Sequence, residues 1–332
     1  MGKNFSVIGA GSWGTALAML LSRNGCPTIM WGRGIDELRQ MQKTRSNERY
    51  LPGISFPELL QPETELDEVL SQPGDVLMAV PSEGFRPTLE MIKSRLSVNA
   101  RIVWATKGLD PQSNKLLHEV VEDVLGLDRA YAVISGPTFA KEVAESLPTA
   151  VTLAANDETL AEDLANSLHN DFFRVYTSRD IIGVEVGGAV KNVMAIAAGI
   201  ADGLGFGANT RAALITRGLA EIMRLGVAIG GDQETFMGLA GLGDLVLTST
   251  DNLSRNRRLG LALARGQNLA DAINGIGQAV EGAQTVKQVL WIAAKNSIDM
   301  PITEQVYNIL YQGRHPREAV MELLAREQKA EN

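Results

Sequence analysis

The chain has 332 residues, of which 45% are hydrophobic and 21% are charged, so it is long enough for two domains with separate cores. Its formal net charge of -8 argues against a general nucleic-acid-binding protein, which needs a basic surface to displace counterions from phosphates. The single cysteine, Cys26, excludes an internal disulfide and indicates a reducing compartment such as the cytoplasm. We expect Cys26 to be a small buried residue.

Membrane, secretory and metal-binding signatures are weak in this sequence. No basic segment followed by an apolar core opens it, so we predict no secretory signal. The longest apolar stretch, residues 181–207, carries Glu185, Lys191 and Asp202. Burying such charges in a bilayer is costly, so we predict a helix of a globular protein and no integral membrane segment. The three histidines are His118, His169 and His315. They lack companions at metal-ligand spacing, and we predict no metal site.

In the first half of the chain, strand-like runs alternate with helix-like segments. The strand-like runs are rich in Val, Ile, Thr or aromatic residues and cover residues 5–10, 27–33, 75–82, 101–108, 131–137, 149–155 and 172–177. Apolar residues at helical spacing lie between most of them, at residues 88–96, 114–125 and 158–168. This alternation predicts an α/β, Rossmann-like domain over residues 1–180, with a mostly parallel sheet covered by helices on both faces.

From about Ile181 the composition changes to one dominated by Ala, Leu, Gly and Met. Helical patterns follow one another over residues 183–202, 211–229, 255–265, 281–295, 302–312 and 316–326. These patterns predict an all-α C-terminal domain over residues 181–332. A polar tail at residues 328–332 is expected to be frayed.

Three glycines, Gly9, Gly11 and Gly14, follow the first predicted strand and precede a helix-like run. Their spacing is GxGxxG inside a strand–helix–strand unit. Glycine there permits a tight turn, lets a pyrophosphate approach the backbone, and lets helix and strand pack closely. The helix N-terminus adds free N–H groups and a partial positive charge. We predict a dinucleotide-binding site, with a purely structural turn as the alternative.

The end of the second predicted strand bears on which nucleotide is bound. NAD-specific sites usually place Asp or Glu there to accept hydrogen bonds from the ribose 2′-hydroxyl. Here the residues are Trp31, Gly32 and Arg33, with Asp36 and Glu37 further along. Arg33 can pair with a 2′-phosphate and stack on adenine, or it can simply cover the sheet edge. NADP(H) is therefore favoured, and NAD(H) stays open.

Lys191 lies among small residues in the apolar stretch. On a helix it shares one face with Gly187, Gly188 and Ala195. Desolvation by such neighbours lowers the pKa of an amine towards the range useful for proton transfer. Lys191 is thus a candidate acid–base residue, and the alternative is a lysine that extends to solvent beside a helix contact.

A second polar cluster lies at the start of the helical run at residues 255–265. Ser254, Arg255 and Asn256 supply a hydroxyl, a guanidinium and an amide at a helix N-terminus, a combination that suits a phosphate monoester. Asp244 lies upstream in what reads as a glycine-rich turn. Its carboxylate could orient a catalytic lysine or a substrate hydroxyl, or it could cap a helix.

These motifs, in this order, resemble the bacterial type of NAD(P)-dependent glycerol-3-phosphate dehydrogenase. The blocks that carry the resemblance are GAGSWGTALA, AVPS, ATKGL, SGPTFAKEV, the run from GGAVKN to TRGLAE, the run from GLAGLGD to NRRLG, and VEG. They extend from residue 4 to about residue 312. The resemblance implies reversible, NAD(P)H-dependent reduction of dihydroxyacetone phosphate to sn-glycerol 3-phosphate, supplying glycerophospholipid synthesis. It also implies a homodimer.

The resemblance further implies a role for each matching position. Lys191 would exchange the proton of the reacting carbonyl or alcohol, and Lys107 would polarise the substrate oxygen and contact the cofactor. The other implied substrate contacts are Gly136, Thr138, Asp244, Ser254, Arg255 and Asn256. The cofactor-binding set is Gly9, Gly11, Ser12, Trp13, Gly14, Arg33, Lys107, Ala140, Arg255, Ala279 and Glu281. Gly34 and Ala279 occupy positions where the family varies, which leaves the choice between NAD and NADP open.

Two other functions are compatible with parts of the pattern. A related two-domain dehydrogenase acting on a β-hydroxyacid or a phosphosugar acid would share a Rossmann-like half, a helical half and a catalytic lysine. A non-catalytic NADP-binding redox sensor would bind cofactor without turnover, and it would leave Lys191 and Arg255 unexplained.

Overall fold

In a computed structural model of the chain, the described residues are 3–325. They form two compact units that divide between Glu185 and Val186. Arg326, the last residue of the final predicted helix, and the predicted tail at residues 328–332 lie outside the described residues. The assignment of cofactor binding to one domain and catalysis to the other stays a prediction, because it concerns what each part binds.

The first unit is built on an eight-stranded sheet. Its strands are β1 (Phe5–Ile8), β2 (Thr28–Trp31), β3 (Leu60–Pro62), β4 (Asp75–Met78), β5 (Ile102–Trp104), β6 (Tyr131–Ser135), β7 (Thr149–Ala155) and β8 (Phe173–Ser178). Their order is β3-β2-β1-β4-β5-β6-β7-β8. Only β6 and β7 pair antiparallel among these strands. The predicted mostly parallel, Rossmann-like sheet is confirmed.

Helices connect these strands and cover the sheet. They are α1 (Ser12–Arg23), α2 (Ile35–Thr44), α3 (Leu66–Ser71), α4 (Ser82–Ile92), α5 (Leu117–Leu125), α6 (Ala140–Ala144) and α7 (Glu158–Leu168). Residues 14–22 of α1 are all buried, so this helix forms the centre of the core beneath the glycine motif. The helix predicted at residues 158–168 is confirmed as α7, which begins at Asp157 because its carboxylate accepts a hydrogen bond from the Leu160 N–H at 2.7 Å.

Two local predictions for the first unit were incomplete. The strand β3 was not predicted, because it has three residues and ends at Pro62. It lies at the edge of the sheet, where a proline is tolerated. The helix expected at residues 88–96 begins earlier, as α4, with Pro87 inside it. It gives way at Lys93–Arg95 to a short 3-10 turn.

The second unit is all-helical over its described residues, as predicted. Its helices are α8 (Ile181–Gly203), which begins in the first unit, α9 (Ala208–Ala228), α10 (Gln233–Met237), α11 (Asp244–Thr250), α12 (Arg255–Ala264), α13 (Leu269–Ile276), α14 (Glu281–Lys295), α15 (Pro301–Tyr311) and α16 (Pro316–Leu324). A π-helical segment at Leu239–Gly243 leads directly into α11.

The helix α8 is the centre of this unit, and its residues 183–201 are all buried. Glycines let α12 cross it in backbone contact: a Cβ on Gly199 would lie 2.1 Å from the Arg257 carbonyl oxygen, and one on Gly260 would lie 2.1 Å from that of Ile196. By length and composition alone α8 could cross a membrane, but 89% of its most apolar window is buried inside the protein. That burial is the pattern of a core helix.

Candidate functional site

The three glycines of the first motif have different structural roles. Gly9 has φ +124°, and a Cβ there would lie 2.5 Å from the Ala79 carbonyl oxygen. A Cβ on Gly14 would lie 1.8 Å from the Gly9 carbonyl oxygen. These two glycines are required by the packing of β1, β4 and α1. Gly11 meets nothing within 4 Å, so it leaves open space at the helix N-terminus.

That N-terminus is suited to an anion. Gly11 is the N-cap of α1 and supplies no side-chain cap, and the first turn contains no acidic residue. The N–H groups and the positive end of the helix dipole are therefore not neutralised locally. An open glycine before an uncapped helix fits the pyrophosphate of a dinucleotide.

Asn47 holds the loop that carries Gly9 and Gly11, called here the glycine loop, through hydrogen bonds of its side chain. The sequence did not indicate this contact. The Asn47 side-chain N–H group donates to the Ala10 carbonyl at 3.0 Å and to the Thr15 hydroxyl at 2.8 Å. Asn47 is 1% exposed, so these bonds are shielded from water. No local sequence signal could have revealed contacts made across more than 30 residues.

The other predicted cofactor residues of the first unit lie around this loop. Ser12 and Trp13 open α1 and are half-buried. The Trp13 indole Nε1 is buried and lacks a hydrogen-bond partner among residues 3–325. Arg33 is exposed, two residues beyond the end of β2. Its role at a 2′-phosphate stays a prediction.

A second group of predicted residues meets at the ends of β5 and β6. The Lys107 ammonium donates to the Gly136 carbonyl at 3.0 Å, and the Thr138 hydroxyl donates to the same oxygen at 3.2 Å. Gly136 has φ +154°, and a Cβ there would lie 3.0 Å from Val151 Cα. Ala140 begins α6 immediately afterwards and is half-buried. The structure thus brings together Lys107, Gly136 and Thr138.

Lys191 lies in the second unit, in the middle of α8, and is 6% exposed. Its ammonium donates to Asp244 Oδ1 at 2.7 Å and to the Thr248 hydroxyl at 2.6 Å. The Thr248 hydroxyl is also 3.3 Å from Asp244 Oδ1. A buried lysine with a carboxylate and a hydroxyl is held at one position and can give up a proton there.

The segment before Asp244 is helical, so the prediction of a glycine-rich turn there is wrong. Glycines serve close packing here: a Cβ on Gly241 of this segment would lie 2.1 Å from the Phe236 carbonyl oxygen, and one on Gly187 of α8 would lie 2.6 Å from the Ala240 carbonyl oxygen. The small-residue face beside Lys191 therefore accommodates the protein's own backbone at Gly187. Thr248 was missed because its signal, a spacing of four from Asp244, is visible only once α11 is known to be a helix.

The predicted phosphate-binding residues lie at the start of α12. The Ser254 hydroxyl caps the helix by accepting a hydrogen bond from the Arg257 N–H at 3.2 Å. Arg255 is half-buried at the first helical position. The Asn256 side chain donates to Asn192 Oδ1 at 2.8 Å. Residue Asn192 follows Lys191, so this bond ties the start of α12 to the helix of the lysine.

The N-terminus of α14 packs against the same residues. The Gly282 N–H donates to Asn256 Oδ1 at 3.0 Å, and a Cβ on Gly282 would lie 2.7 Å from the Asn192 carbonyl oxygen. Glu281 begins the helix and is half-buried, whereas Ala279 is exposed in the preceding loop. Across residues 3–325 no group of three or more His, Cys, Asp or Glu side chains could hold a metal ion.

Two family models match the chain. The model of the NAD-dependent glycerol-3-phosphate dehydrogenase N-terminus matches residues 4–161, and that of the C-terminus matches residues 180–321. The chain belongs to the NAD-dependent glycerol-3-phosphate dehydrogenase family. Members of this family with closely similar sequences are the glycerol-3-phosphate dehydrogenases [NAD(P)+] of Nitrosococcus oceani, 60% identical over 98% of this chain and 94% of that protein, and of Idiomarina loihiensis, 52% identical over 98% of both.

Solved structures of the family have the same fold. The crystal structure of glycerol-3-phosphate dehydrogenase from Coxiella burnetii is 50% identical, with a TM-score of 0.95 over 98% of this chain and 99% of that one. A ketopantoate reductase from Ralstonia eutropha covers 96% of this chain and 99% of its own at 14% identity and a TM-score of 0.57, and it shares the fold alone.

Proposed function

We propose that the chain catalyses the reversible reduction of dihydroxyacetone phosphate to sn-glycerol 3-phosphate with NADPH or NADH. The observation that carries the proposal is the buried Lys191–Asp244–Thr248 cluster in a member of this family. The relatives' names include NAD(P)+, which supports use of either nucleotide. We further propose that the enzyme works in the cytoplasm as a homodimer and supplies glycerophospholipid synthesis.

In this proposal the residues of the second unit bind the phosphate and handle the proton. Arg255, at the start of α12, pairs with the substrate phosphate together with Ser254 and Asn256. Lys191 donates a proton from Nζ to the C2 oxygen of dihydroxyacetone phosphate as that oxygen gains negative charge. Asp244 keeps the ammonium in place. Binding of the remote phosphate thus positions the reacting carbon.

The residues of the first unit bind the cofactor and the substrate oxygen. The α1 N-terminus with Gly11, Ser12 and Trp13 binds the pyrophosphate, and Arg33 binds the adenosine end. When bound, the nicotinamide supplies the hydride that reduces C2. Lys107 polarises the C2 oxygen, with Gly136 and Thr138 at the substrate and Ala140 beside the cofactor. Ala279 and Glu281 of the second unit complete the proposed cofactor set.

A substrate panel separates this function from its alternatives. Purified protein is mixed with NADPH or NADH and either dihydroxyacetone phosphate or a β-keto acid, and cofactor oxidation is followed at 340 nm. We expect oxidation only with the phosphorylated ketone. Cofactor oxidation with the keto acid, and not with dihydroxyacetone phosphate, would instead identify a hydroxyacid dehydrogenase. Binding of cofactor without oxidation by any substrate would identify a redox sensor.

A further inference from the structure

The segment from Asn47 to Tyr50 joins two places that a dinucleotide occupies in this fold. At one end Asn47 donates to the Ala10 carbonyl of the glycine loop at 3.0 Å. Two residues later, the Arg49 guanidinium contacts the Glu37 carboxylate in the first turn of α2. The glycine loop receives the pyrophosphate, and the end of β2, which leads into α2, receives the adenosine ribose. The segment therefore runs beside the ribose position.

Glu37 lies in the first turn of α2, just after the loop that follows β2. Its Oε2 lies 2.8 Å from the point where a Cβ on Gly34 would stand. The absent side chain at Gly34 thus leaves room for the carboxylate to fold back over the loop after β2. The neighbouring Asp36 does not fold over this loop in the same way: its side chain is 98% exposed and pairs with Arg39 at 3.3 Å.

The Arg49–Glu37 pair is open to solvent and can rearrange. Its side chains are 60% and 40% exposed, respectively. An exposed pair contributes little to stability, so a stronger partner can displace either member at small cost. A 2′-phosphate is such a partner for a guanidinium, because it accepts two parallel charge-assisted hydrogen bonds. A 2′-hydroxyl is a partner for a carboxylate.

We propose that Arg49 and Glu37 determine how the protein distinguishes NADPH from NADH. With NADPH, Arg49 turns from Glu37 to the 2′-phosphate and acts beside Arg33. With NADH, Arg49 keeps its contact with Glu37, and Glu37 also accepts a hydrogen bond from the 2′-hydroxyl. One pair therefore accommodates both nucleotides. This inference rests on the proposed function, because it requires a dinucleotide on the glycine loop.

The test is equilibrium binding of NADPH and NADH, measured by nucleotide fluorescence without substrate. We expect Arg49→Ala to raise the Kd of NADPH about tenfold, the value of a lost charge-assisted hydrogen bond, and to leave the Kd of NADH within about twofold. Glu37→Gln removes the carboxylate that repels the phosphate, so we expect tighter NADPH binding. Arg39→Ala is the matched control, since it removes the same charge from the same helix as Glu37 and should leave the ratio of the two Kd values unchanged.

Three results would overturn the inference. Equal weakening of both nucleotides by Arg49→Ala would show a general electrostatic effect. Unchanged binding in Arg49→Ala, with normal binding by the wild type, would remove Arg49 from the site while leaving the proposed function intact. A wild type that binds neither nucleotide would overturn the proposed function and the inference with it.

Discussion

At the scale of single residues, the environment of Lys191 is the feature that most constrains the chemistry. A buried ammonium is tolerated only when a counter-charge and hydrogen-bond acceptors replace its hydration. Asp244 and Thr248 provide them, and both are at most 4% exposed. Lys191 is thereby held in one position on α8, which suits a group that must reach a single substrate atom.

Replacing Asp244 tests how much this pairing matters for folding. Asp244→Asn leaves a buried ammonium without its counter-charge, so we expect the free energy of unfolding to fall by about 3–5 kcal/mol. The double variant Lys191→Met with Asp244→Asn removes both charges and should recover part of that loss. Urea unfolding of the wild type, the single variant and the double variant measures these free energies. A double variant less stable than the single one would contradict the assigned pairing.

At the scale of elements, the glycines around the start of α1 divide into those needed for packing and one that leaves space for a ligand. Gly14 is required because α1 touches the Gly9 carbonyl there, whereas Gly11 faces open space. The two positions are three residues apart, yet we expect substitution to lower stability at Gly14 and to weaken nucleotide binding at Gly11.

We expect Gly14→Ala to lower the free energy of unfolding by about 1–3 kcal/mol through overpacking. Gly11→Ala should keep its stability and instead weaken NADPH binding, because its methyl group occupies space open to the pyrophosphate. Thermal unfolding and nucleotide fluorescence together measure both effects. If Gly11→Ala bound NADPH normally, the pyrophosphate would have to lie elsewhere.

A histidine–glutamate pair anchors the N-terminal part of α8. His118 Nδ1 is 2.5 Å from Glu185 Oε2, and the His118 N–H donates to Glu185 Oε1 at 3.1 Å. Burial by itself lowers the pKa of His118, but the hydrogen bond to Glu185 and its charge outweigh that effect and raise the pKa above 6.5. Folding therefore favours the protonated imidazole. The stabilisation is complete below pH 6.5 and is lost as the pH rises through the raised pKa.

NMR titration of the imidazole signals tests this pair, since the chain has only three histidines to assign. We expect the pKa of His118 to lie above 6.5 in the wild type. In Glu185→Gln, where burial remains and the Glu185 charge is gone, the pKa of His118 should be lower than in the wild type. An unchanged pKa in that variant would show that Glu185 does not hold the imidazole proton.

At the scale of the whole molecule, the sequence predicted most of the architecture and only part of the site. Periodicity was sufficient for a long buried helix such as α8 and for a parallel sheet, because each has a strong apolar pattern. It failed at Leu239–Gly243, where glycines needed for packing resemble those of a turn. Thr248 was missed because the helix α11 that follows was not predicted. The Asn47 and Arg49 contacts could not be predicted, because they depend on tertiary structure and leave no local pattern in the sequence.

We infer that Lys191 supplies the proton for reduction of dihydroxyacetone phosphate. The most direct measurement is the steady-state rate of NADPH oxidation by dihydroxyacetone phosphate for the wild type and Lys191→Ala, with the NADPH Kd of both. We predict that kcat falls by about 10²–10⁴-fold in the variant, the usual contribution of general acid–base catalysis, while the Kd changes less than about twofold. Near-normal turnover in Lys191→Ala would show that Lys191 is not the proton donor.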